Sequence, residues 1–174
     1  MMQIRYAGSI QKLIDGVKKA NELLGSNTFY EEISKKERFD FTEASGAQIA
    51  TSLKNCNLQL NVKTFKQHGT RKLGFEVPTD PTSIHINVVK KKLKRSVGSI
   101  AGTFIHEAVH AADADDESLD YPHNGNLAAG NEMTAPYWIG NLAIQMIDHP
   151  QKPVNVNQIE IVPHAVEDEI DDTE

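Results

Sequence analysis

Two histidines four residues apart, His106 and His110, with Glu107 beside the first, are the residues of this chain best placed to do chemistry. On a helix, side chains four apart leave the same face, one turn from each other. Two imidazoles in that relation can both reach one tetrahedral ion at about 2.0–2.1 Å. Glu107 adjoins the first without sharing its direction, so it can act on a water that the ion activates rather than on the ion itself. A carboxylate placed there takes a proton as the water attacks a carbonyl and hands it to the leaving amine. The run His106-Glu107-Ala108-Val109-His110 therefore points to metal-assisted hydrolysis, with Zn2+ as the ion and Glu107 as general base. Such a pattern fixes only three positions, and the plain alternative is a solvated helix face carrying two histidines.

Context favours the metal. From about Lys94 to Ala112 the residues Val97, Ala101, Phe104, Ala108 and Ala112 form an apolar stripe, while Ser99, Thr103, His106 and His110 share another face. Upstream, Leu58, Leu60 and Val62 alternate with polar residues, as do Leu73, Phe75 and Val77, and then Ile84, Ile86 and Val88, which predicts three half-buried strands. Gln67-His68-Gly69-Thr70 reads as a turn, and Pro78 and Pro81 bracket a loop. Helices precede the strands: Ser9 to Gly25, with Ser9 as cap, then around Thr28–Lys36, then Ser45–Lys54, where Ser45 and Gln48 fit a capping box. A last helix runs from Thr134 or a neighbour to about Ile147. The expected fold is α+β, with N-terminal helices, a small and mainly antiparallel sheet, and an active-site helix.

The chain has 174 residues, which fits a single domain over 1–165 and a short tail over 166–174. Its net charge of -6 is local, since six acidic residues stand between Glu167 and Glu174. They read as a solvated, disordered tail. The remainder is near neutral, which argues against a general nucleic-acid binder. One cysteine, Cys56, leaves no internal disulfide and makes a reducing compartment the default. No secretory pattern opens the chain and no apolar run approaches the roughly 20 residues of a membrane span, so a cytoplasmic setting without a membrane partner is expected, signal-independent export aside.

Over about Ser83 to Ile147 the chain resembles the zincin metallopeptidases, which combine a small sheet, a helix carrying His-Glu-x-x-His and a third ligand from downstream. The resemblance implies that His106 and His110 are zinc ligands, Glu107 the base, and a protein or peptide the substrate. Three residues compete as third ligand. Asp116 has the metzincin spacing, but Asp113 stands where that group has a glycine. His123, in Tyr121-Pro122-His123-Asn124-Gly125-Asn126, is similar to the third histidine of SprT-type zincins. Glu132, in Asn131-Glu132-Met133-Thr134-Ala135-Pro136, is similar to the gluzincin ligand. Pro136 has no N–H to bond the Glu132 carbonyl, so Glu132 belongs at or before the first turn of the following helix, not inside it. His123 is the favoured ligand, with Glu132 the competing ligand or a group that orients one.

Tyr121 and Tyr137 flank these candidates and could each donate to an oxyanion, although packing in the core explains either one more simply. The strand Ser83–Val89 could serve as an edge that pairs with an extended peptide, or be an ordinary member of the sheet. His85 is expected in solvent or facing the cleft. Lys90, Lys91, Lys92, Lys94 and Arg95 form a basic cluster before the histidine helix, either a solvated connection or a tether for nucleic acid. A metal-binding regulatory protein without turnover remains the rival from another class.

Overall fold

The strand that opens the chain is one that alternation could not announce. β1, Gln3–Arg5, is three residues long, and only Ile4 turns inward. The computed structural model describes residues 1–69, 73–77, 80–123, 129–155 and 159. The tail expected over 166–174 lies outside the described residues, as do Thr70 and Pro78.

Three helices follow: α1 (Gln11–Leu24), α2 (Asn27–Ser34) and α3 (Gly46–Asn55). Ser9 does not cap α1, whose N-cap is Ile10; a helix that starts two residues later leaves the serine out of reach. The capping box of α3 forms as its sequence implies, with Ser45 Oγ accepting from Gln48 N–H and the Gln48 side chain accepting from Ser45 N–H. Asn21 of α1 ties that helix to β1, donating to Ile4 O at 2.8 Å and accepting from Ile4 N–H at 2.9 Å.

β2 (Gln59–Phe65), β3 (Gly74–Val77) and β4 (Asp80–Asn87) complete a four-stranded sheet in the order β1-β2-β4-β3. β1 pairs with β2 in parallel and β2 with β4 in parallel; only β3 and β4 are antiparallel. The expectation of a mainly antiparallel sheet is therefore corrected. The chain leaves β2, passes to the far edge as β3, and returns as β4 between the two, so consecutive strands are not all neighbours. The same insertion corrects the reading of the Ser83–Val89 strand as an edge, because β4 is paired on both sides. Burial in β2 alternates over its first residues, with Leu60 and Val62 inward. Asn87 is fully buried at the end of β4, where its side chain bonds both backbone groups of Gln67.

A short 3-10 turn, Lys92–Lys94, leads into α4 (Val97–Asp115), and α5 (Ala135–Asp148) closes the described fold. Ser96 caps α4 by accepting from Ser99 N–H. α4 packs on α5, α1 and the sheet. Ala101, Phe104, Ala108 and Ala112 of its stripe are completely buried. Gly102 lets the two last helices approach: a Cβ there would meet the Ile144 side chain and stand 2.7 Å from Gly140 O. Asp148, at the end of α5, accepts from Ser96 Oγ at 2.5 Å and from Gly98 N–H at 3.2 Å. A carboxylate there satisfies an orphan donor and complements the positive end of the α4 dipole. One cluster of buried side chains links β1, β2 and β4 with the five α-helices. Among the described residues no helix is long and apolar enough to cross a membrane.

Candidate metal centre

His106 and His110 project from α4 as their spacing requires, each half-buried. His123 arrives from the segment after the helix, and the three rings face one another with centroids 4.7–5.5 Å apart. Nε2 of His110 lies 3.3 Å from Nε2 of His106 and 2.9 Å from Nε2 of His123. Nitrogen ligands of a tetrahedral zinc, at about 2.0–2.1 Å from the ion, stand about 3.3–3.4 Å from each other. The observed spacings are close to that, and the ligand atoms of all three residues lie within 4.8 Å of one another. The three histidines can hold one metal ion.

Electrostatics agree with a ligand role. Burial, and then the neighbouring His123, push the His110 pKa down to about 3, so its ring is neutral and offers a lone pair at physiological pH. Glu107 is buried on α4. Tyr137, from the first turn of α5, packs edge-on against His106 at 4.5 Å and against His123 at 5.0 Å between ring centroids. Burial, and then the charge of Glu107, raise the Tyr137 phenol to about 12, so it stays protonated.

The other candidates are elsewhere. Glu132 sits in the turn before α5, as Pro136 demanded, and its Oε2 accepts from Gly130 N–H at 2.8 Å; it is not among the clustered ligands. Asp116 caps the end of α4 and accepts from Ser118. Tyr121 is fully buried, with its hydroxyl 3.3 Å from Ser52 Oγ of α3, and burial raises its pKa. That hydroxyl is engaged with α3, which corrects its assignment as an oxyanion donor. His85 is half-buried on β4, His68 and His149 are exposed, and none joins the cluster.

Comparison of the chain with protein-family models, with curated proteins and with solved structures finds no match.

Two supports for His123 carried no sequence signal. Asp113 Oδ1 accepts from Tyr121 N–H at 3.0 Å, so the last turn of α4 holds the backbone two residues before His123. Thr42 Oγ1 donates to Asp120 O at 2.6 Å and ties the same segment to the loop between α2 and α3. Burial, with Asp120 and Asp116 nearby, lifts Asp113 to about 6 despite the bond from Tyr121. Neither pair has a spacing that distinguishes it from ordinary polar residues.

Proposed function

We propose that this protein is a zinc-dependent hydrolase acting on peptide bonds, a metallopeptidase of zincin type. The observation that carries the reading is the convergence of His106, His110 and His123 on one point beside a buried glutamate. A zinc ion held by these residues would supply a Lewis acid with a fourth position for a water of pKa near about 7. Glu107 takes the proton of the attacking water and delivers it to the leaving amine. Tyr137, kept protonated, donates to the oxygen on which negative charge develops. His110, held neutral by burial, would offer a lone pair to such an ion.

A metal-binding protein without turnover would use the same histidines. It has no need of a carboxylate buried at this position, where desolvation of charge is costly. A tether to nucleic acid is disfavoured: Lys92 is buried and Arg95 half-buried, leaving Lys90, Lys91 and Lys94 outward. Zinc content measured beside hydrolysis of a denatured protein, for wild type and Glu107→Gln, tests the proposal. Both proteins are expected to carry about one zinc, with the variant slower by about 10²–10⁴-fold. Zinc-loaded wild type that hydrolyses nothing would favour the protein without turnover.

A further inference from the structure

Arg95 stands between the 3-10 turn and α4, and it reaches along the histidine face of that helix. Its Nε donates to Lys92 O at 3.0 Å, and its Nη1 donates to Thr103 Oγ1 at 2.8 Å and more distantly to Ser99 O at 3.5 Å. No carboxylate pairs with it among the described residues. Burial alone pulls its pKa down to about 10, so the guanidinium remains charged. Nη2 donates to no described residue. A desolvated arginine ordinarily has an acid beside it. Among the described residues this one has only neutral partners, the Lys92 and Ser99 carbonyls and the Thr103 hydroxyl.

Helical geometry places that guanidinium relative to the metal centre. At about 100° per residue, Ser99, Thr103, His106 and His110 fall within an arc of about 60° on α4. Thr103 precedes His106 by about 4.5 Å along the axis. Side chains on a helix lean toward its N-terminus, so the imidazoles tilt toward Thr103 and the guanidinium that rests on it.

We infer that Arg95 is the carboxylate-binding residue beside this metal centre, taking an acidic side chain or a chain-terminal carboxylate of the substrate. The inference rests on the peptidase reading. A guanidinium presents parallel N–H groups that match the two oxygens of a carboxylate. An extended peptide advances about 3.3–3.6 Å per residue, which sets the carboxylate one or two residues from the cleaved bond. Bonds to Lys92 and Thr103 fix the guanidinium before the substrate arrives, so little side-chain freedom is lost on binding.

The test uses matched peptides with zinc-loaded protein. One arm varies Glu against Gln at each position flanking the cleaved bond; the other compares a free C-terminal carboxylate with its amide. Wild type is expected to favour the acidic member of one arm by about 10–100-fold in kcat/KM, mostly through KM, and the arm that responds identifies the source of the carboxylate. Arg95→Gln should bring the two members together, and Arg95→Lys should restore part of the difference. The wild-type comparison stands even if either variant fails to fold. Binding of the same fluorescent peptides to zinc-loaded Glu107→Gln separates the two readings. Acid-selective binding without hydrolysis by wild type would keep the carboxylate site and refute the peptidase. Hydrolysis by wild type without acid preference would refute the carboxylate site alone. Neither hydrolysis nor acid-selective binding would overturn both.

Discussion

Replacing His123 by alanine removes one of three nitrogens that stand at ligand spacing, the His123 Nε2 being 2.9 Å from that of His110. Structural zinc sites with four protein ligands are worth about 10–16 kcal/mol at neutral pH. An equal share is about 2.5–4 kcal/mol per ligand, so His123→Ala should weaken zinc by about 10²–10³-fold. Glu132→Gln, by contrast, touches a carboxylate that serves a local turn through Gly130 N–H. A surface change of that kind shifts energies by about 0.5 kcal/mol or less, so zinc affinity should stay within about threefold. Competitive titration against a chromophoric chelator measures both, with circular dichroism confirming that each variant is folded. Tight binding by His123→Ala together with failure by Glu132→Gln would refute the ligand set and the geometric argument behind it.

Three further outcomes are expected. Tyr137→Phe should retain zinc and lose about 10²–10³-fold in kcat, as loss of an oxyanion donor does; an unchanged kcat would leave the ring as packing against His106 and His123. Asp113 has a folded pKa near 6, above its value of 3.8 when unfolded, so the folded state holds its proton longer and stability falls as pH rises between those values. Discounted for partial exposure, the loss is about 1 kcal/mol, and denaturant melts of Asp113→Asn should lack it. Gly102→Ala forces a methyl against Ile144 and Gly140 O, which should cost about 1–3 kcal/mol and lower Tm by about 2–10 °C; an unchanged Tm would show that α4 and α5 are not so closely packed.

The histidine pair was legible because a helix makes four-residue spacing a local property. The same holds for the capping box of α3 and for the displacement of Glu132 by Pro136. His123 and Glu132 could not be separated by spacing, since a connecting segment can deliver either one; Asp113 and Thr42, eight and seventy-eight residues from their partners, make the difference. Alternation in β2 and β4 revealed one inward face but carries no information on strand direction. The parallel pairing depends on β1, too short to show a period, and on the insertion of β4 beside β2. Arg95 read as one more solvated cation, because its contact with Thr103 exists only once the 3-10 turn redirects the chain.

The bond from Ser96 to Asp148 spans fifty-two residues of sequence. During synthesis, the histidines of α4 therefore leave the ribosome well before the carboxylate that completes the start of their helix. Until α5 docks, α4 lacks that anion at its first turn, and Tyr137 is not yet against His106. A nascent chain thus presents the histidine pair before Asp148 and Tyr137 can reach the helix that carries it. In this order of assembly, the helix that would hold the ion is completed only when the one that carries the phenol docks against it.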